Sequence, residues 1–237
     1  MRERFQGQLG VLGDRLSDMS GMACDELRLA NRVFLDRDLD AAIELATVET
    51  RMNATRTECE ETAQKLLALQ APVAGDLRTV LAAVYCADRL ERMGDLAQHI
   101  AEQAARAPEF AVPEALSGRF GEMAGLVCSM AEDLGAAIQG SPAEVFHSLA
   151  RSDQRVDALY EELMTEVTDP AWAHGVAPAI SVALLARFYE RFADQVVSVA
   201  RRVDFALTGE LPESALRDAS ARSAGAENPL SDHGARN

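Results

Sequence analysis

Apolar residues recur along this chain at steps of three and four, the spacing that gathers them on one face of an α-helix. The first such stripe is Phe5, Leu9, Leu12, Leu16, Met19, Ala23, Leu27, Ala30 and Phe34. After a polar break at Asp36 to Asp38, a second helix is predicted from about Asp38 to Gln70, carrying Leu45, Val48, Met52, Cys59, Ala63 and Leu66 inward. Pro72 and Gly75 end it. A third runs from about Asp76 to Arg106 on Val80, Ala83, Ala87, Leu90, Ala97 and Ala101, and Pro108 and Pro113 break the pattern. Leu116, Phe120, Met123, Val127, Met130, Leu134 and Ala137 form a fourth stripe. Val145, Leu149, Val156, Leu159, Leu163 and Val167 form a fifth, stopped by Asp169 and Pro170. Val182, Leu185, Phe192, Val196, Val199 and Val203 mark a sixth helix from about Val176 to Leu207. From Gly209 to Asn237 small and polar residues replace the apolar rhythm, and the segment is expected to be disordered.

The six stripes are not independent. Leu12, Leu16, Met19 and Ala23 map onto Leu116, Phe120, Met123 and Val127 at an offset of 104 residues, which also carries Glu49 and Asn53 onto Asp153 and Asp157. Glu91, Arg92 and Asp95 map onto Glu190, Arg191 and Asp194 at an offset of 99, the difference falling in the connections around Pro72 and Pro170. A fixed internal offset is the signature of a duplicated structural unit. The expected architecture is all-α: two tandem, pseudo-repeated three-helix bundles over 1–108 and 109–208, with the disordered tail at 209–237.

Composition supports helix, since aromatics are only 5% of the residues and Ala and Leu dominate the apolar set. The longest apolar candidate, Val176 to Ala186, contains Pro178 and falls short of the roughly eighteen residues that cross a bilayer. The N-terminus, Met1-Arg2-Glu3-Arg4-Phe5, lacks the apolar core of a secretion signal. Cys24, Cys59, Cys86 and Cys128 are widely spaced inside predicted helices, as reduced thiols of a cytoplasmic protein would be. A formal net charge of −15, with Lys65 the sole lysine, argues against a nucleic-acid or anionic-lipid partner, which Lys and Arg would have to hold.

The candidate chemistry lies in acid or amide pairs four residues apart: Glu49 with Asn53, Glu91 with Asp95, Asp153 with Asp157, and Glu190 with Asp194. Each pair shares a helix face. Taken singly, such a pair is an ordinary solvated surface, balanced by neighbours such as Arg92 and Arg191. Their recurrence on helices two, three, five and six suggests instead that two flanks converge on a groove in each half. Carboxylates with one amide make a hard-oxygen set, suited to Mg, Mn, Ca or iron more than to structural zinc. His99 could supplement the first group. Glu144 and His147 form an E-x-x-H pair without a second copy, unlike a di-iron bundle. No nucleophile elbow, phosphate-binding glycine loop or H-E-x-x-H motif is present, so no enzyme is expected.

Leu66 to Gln70 with Pro72, the triplet Asp76-Leu77-Arg78 and the run Ala87-Asp88-Arg89-Leu90-Glu91-Arg92-Met93-Gly94-Asp95 resemble the signature of the PhoU family. Tyr189 to Asp194 and Asp153 to Asp157 repeat it in the second half. The resemblance implies a cytoplasmic negative regulator of phosphate uptake and of the phosphate-starvation response. Such a protein is an adaptor between the ATPase of the high-affinity phosphate ABC transporter and a sensor histidine kinase, and is often a homodimer. It also implies surface clusters of iron or zinc on E-x-x-x-D motifs, which here designate Glu49, Glu91 and Asp95 in the first half and Asp153, Asp157, Glu190 and Asp194 in the second. Asn53 stands where the family has an acid, so the second half is the fuller set. Two other readings predict different things: a metal-dependent helical enzyme would need a buried dinuclear site, and a purely structural bundle would leave the pairs replaceable.

Overall fold

The computed structural model of the chain describes residues 2–106, 108, 111–139 and 142–210. Six α-helices fill them: α1 (Arg2–Leu35), α2 (Asp40–Gln70), α3 (Ala74–Ala104), α4 (Ser117–Gln139), α5 (Pro142–Thr168) and α6 (Val176–Thr208), with a 3-10 turn at Glu114–Leu116 leading into α4. Beyond Glu210, the segment expected to be disordered lies outside the described residues, as do the side chains of Glu144 and His147.

Local chemistry sets the helix ends. Asp38 does not begin α2 but caps it: its Oδ1 accepts from the N–H groups of Asp40 (3.1 Å) and Ala41 (3.3 Å), while Oδ2 accepts from Arg32 (Nε 3.0 Å, Nη2 2.5 Å). These bonds, the Arg32 one foremost, hold the Asp38 carboxyl below its ordinary range. Ala71 closes α2 in the left-handed region (φ 45°), and Pro72 then prevents continuation. Gly209 closes α6 at φ 79°, donating its N–H to Phe205 O at 2.9 Å, a conformation in which a Cβ would be strained.

The width of each apolar stripe decides where its helix sits. The α2 stripe is narrow, with Ala41, Leu45, Met52, Cys59, Ala63 and Leu66 buried, and one face is covered. By contrast α3 buries two adjoining faces, through Val80, Ala83, Ala87, Leu90 and Ala97 on one side and Ala82, Cys86, Met93 and Ile100 on the other. It therefore needs neighbours on both. Accordingly α1, α3, α6 and α4 stand as a square, each packed against the next around the ring, with α2 laid over the α1–α3 edge and α5 over the α4–α6 edge. Each half is thus a three-helix unit, and the two units share one core to which all six helices contribute.

Bonds across the square join the halves. Phe34 of α1 meets Phe120 of α4 edge to face (centroids 5.3 Å), and Phe120 meets Tyr189 of α6 at 6.4 Å. Tyr189 is fully buried and donates its hydroxyl to Asn31 Oδ1 at 2.5 Å, while Asn31 Nδ2 faces Cys128 Sγ at 3.3 Å. Gln103 donates to Ser181 (2.9 Å) and Arg89 to Gln195 (2.9 Å) between α3 and α6. The four cysteines are free, three of them buried. Trp172 packs against the core from the α5–α6 loop and donates to Gly175 O at 2.7 Å.

Candidate functional site

The acid pairs lie on the flanks that the packing leaves open. In every pair the first residue is half-buried and the second exposed: Glu49 and Asn53, Glu91 and Asp95, Asp153 and Asp157, Glu190 and Asp194. This follows from helical spacing, since residues four apart differ in angle by about 40° and the earlier one lies nearer the seam. Two acidic grooves result, one between α2 and α3 and one between α5 and α6.

In the second groove Asp153 feels burial first, then the charges of Asp157, Asp194 and Glu190, opposed by Arg201, and its carboxyl is pushed up to about 6. Burial likewise raises Glu190 and Asp194. Arg187 answers part of this, donating to Glu190 Oε1 at 2.5 Å. Asp153 Oδ1 and Glu190 Oε2 are buried with no hydrogen-bond partner. Such orphaned oxygens are rare in native proteins and call for a proton, a water or a cation.

The first groove holds a residue that the acid pairs do not reveal. Glu26 of α1 lies beneath α2 and α3 with 0% of its surface exposed, and neither carboxylate oxygen has a hydrogen-bond partner. Burial, then the charges of Glu49, Asp95, Glu91 and Asp25, push its carboxyl up to about 8. Glu91 is raised by burial and by Asp95, and Arg56 Nε stands 3.9 Å from its Oε1. Gly94 makes the room: a Cβ there would lie 2.4 Å from Glu26 Oε2 and 3.0 Å from its Cδ. The sequence signal was available, because Met22, Glu26, Leu29 and Val33 form a second buried stripe along α1 with one acid in it.

That contact makes a prediction. Gly94→Ala normally gains about 1 kcal/mol of helix propensity, but overpacking in a closed site costs about 1 to 3 kcal/mol. Gly94→Ala is expected to destabilise the chain, and Glu26→Ala with Gly94→Ala to recover the propensity gain. A urea double-mutant cycle returning simple additivity would refute the contact.

Among the described residues no three of His, Cys, Asp and Glu meet in a group that could hold a metal. The metal-ligating arrangement expected of Glu49, Glu91, Asp95, Asp153, Asp157, Glu190 and Asp194 is therefore not displayed. Arg187 instead bonds Glu190, Arg56 stands beside Glu91, and the charge of Arg201 acts on Asp153. His99 does not join them, its ring packing edge-on against Phe188 at 5.3 Å. The donor chemistry nonetheless fits a hard cation, being all oxygen with orphaned buried atoms in both grooves.

The PhoU domain family model matches this chain twice, over residues 16–104 and 120–203. The chain belongs to the PhoU family. It is 39% identical over 214 residues to the phosphate-specific transport system accessory protein PhoU homolog 1 of Mycobacterium leprae, covering 90% of this chain and 96% of that one. The Mycobacterium tuberculosis PhoU homolog 2 is also 39% identical, over 213 residues, covering 90% and 100%. The crystal structure of PhoU from Pseudomonas aeruginosa superposes with a TM-score of 0.78 at 23% identity, over 87% of this chain and all of that one, a likeness of fold. That of the Streptococcus pneumoniae phosphate transport system regulatory protein PhoU gives 0.77 at 25% identity, over 87% and 98%. One PhoU match falls within each three-helix unit.

Proposed function

We propose that this PhoU protein is a cytoplasmic negative regulator of phosphate uptake and of the phosphate-starvation response. It acts as an adaptor between the ATPase subunit of a phosphate ABC transporter and a phosphate-sensing histidine kinase, and it works as a homodimer. The observation that carries the reading is the 39% identity over nine-tenths of the chain with relatives named phosphate-specific transport system accessory proteins. Two structural features support it. The helices form one packed block suited to presenting surfaces, and its flanks expose large apolar side chains such as Ile43 (72%) and Leu69 (76%) on α2. Among the described residues no helix is long and apolar enough to cross a membrane, so contact with a transporter would be made from the aqueous side.

As part of the same reading, Glu49, Glu91 and Asp95 take a cation in one groove and Asp153, Asp157, Glu190 and Asp194 another, iron or zinc by the family resemblance. A bound ion there would neutralise the acids and tie α2 to α3 and α5 to α6. Tagged protein purified from phosphate-replete cells is expected to retain the transporter ATPase and a histidine kinase, and elemental analysis of the same sample to find metal. Asp76→Ala with Arg78→Ala, at the start of α3, is expected to reduce that retention. Recovery of neither protein would overturn the adaptor reading.

A further inference from the structure

We propose that Glu26 is an inner ligand for a hard divalent cation in the first groove, supplying from α1 the carboxylate that Asn53 does not. The inference rests on the reading of the grooves as cation sites and extends it to a third helix. The four acids of the second groove come in pairs from α5 and α6; in the first, Glu49, Glu91 and Asp95 leave the set one short. Glu26 restores it. Its carboxylate is fully buried, unpartnered and pressed against Gly94, between the two helices that carry the other three acids.

What surrounds Glu26 narrows its complement. The charges that act on it are Glu49 of α2, Glu91 and Asp95 of α3, and Asp25 of its own helix, all acids. Arg56 is engaged by Glu60 at 2.7 Å and stands 3.9 Å from Glu91, and the charge of Arg92 also falls on Glu91. A buried carboxyl with no hydrogen-bond partner and only acids around it is kept neutral by its proton, and a cation that binds there displaces that proton to solvent. Four carboxylates with the Asn53 amide oxygen match the oxygen-rich, flexible shells that hard divalent ions take. Closure requires the exposed Asp95 and the half-exposed Glu49 to turn inward, a change of side-chain rotamer on helices already in place.

The duplicated half makes the point by difference. At the offsets that relate the repeats, Glu26 corresponds to Met130 and Gly94 to Ala193, both buried. Where the acid is missing, the space for it is filled as well. The first groove is therefore a three-helix site, whereas the second is confined to α5 and α6.

The test uses the full chain carrying Glu190→Gln and Asp194→Asn, which silences the second groove. Mn2+ binding is followed by the loss of the free-ion electron paramagnetic resonance signal near neutral pH, and thermal unfolding is measured with and without Mn2+. We expect a single Mn2+ to bind, and Glu26→Gln to weaken it by at least about tenfold and to remove most of the Mn2+-induced rise in Tm. Asp95→Asn, an exposed change that leaves the core intact, is expected to weaken binding as well. If Glu26→Gln binds Mn2+ as the parent does, Glu26 is not a ligand although the groove is a cation site. If the parent binds none, both this inference and the cation reading of the first groove fall.

Discussion

Glu26→Gln, with a chelator present, is expected to stabilise the protein at pH 8 and to leave it unchanged or slightly weakened at pH 5. Glu26 has its carboxyl pushed up to about 8 in the folded chain, from an ordinary value of 4.5. Below about 4.5 the acid is protonated in both states and contributes no pH dependence. Between those values the unfolded chain releases the proton while the folded chain keeps it, so stability falls as pH rises, until the penalty is complete near pH 8. At about 1.4 kcal/mol per pH unit, that interval corresponds to roughly 4 to 5 kcal/mol. Glutamine has the same shape and cannot ionise, but its amide would be left unsatisfied at a cost of about 1 to 3 kcal/mol. The net gain at pH 8 is then a few kcal/mol. Urea unfolding of parent and variant at both pH values measures it. A difference that does not change with pH would mean that the folded carboxyl is compensated by a partner.

Tyr189→Ala is expected to cost about 3 to 5 kcal/mol, the range for removing a large buried aromatic side chain. The ring is fully buried between Phe120 and the α1 side of the square, and its hydroxyl holds Asn31 of the other half. Tyr189→Phe, which keeps the ring, should cost about 1 to 3 kcal/mol through the orphaned amide oxygen of Asn31. Because the halves share one core, the larger loss should lower hydrogen-exchange protection in α1 and α3 as well as in α4 and α6. Loss confined to α4–α6 would mean that the halves are separate cooperative units, each with its own core.

Most of the fold was legible in the apolar rhythm. Leu12, Leu16, Met19 and Ala23 and their counterparts Leu116, Phe120, Met123 and Val127 are all buried, as the repeat required. Helix ends were less so: Asp38 is a cap and not the first residue of α2, because its carboxylate does better on two free N–H groups than within a turn. The acid pairs were legible as sharing helix faces and flanking grooves. How their side chains are turned within the grooves was not, since that depends on rotamers and on the arginines opposite.

What the amino-acid order alone determined is therefore the number and approximate placement of the helices, the duplication and which face of each helix turns inward. These follow from residue spacing along a single helix, a local property. Only the tertiary structure decided that α1 stands beside α4 and α3 beside α6, that Tyr189 reaches Asn31 across the square, and that Glu26 lies unpartnered against Gly94. Periodicity tells that a side chain faces inward; what it meets there is set by another helix, placed by the summed packing of the whole core.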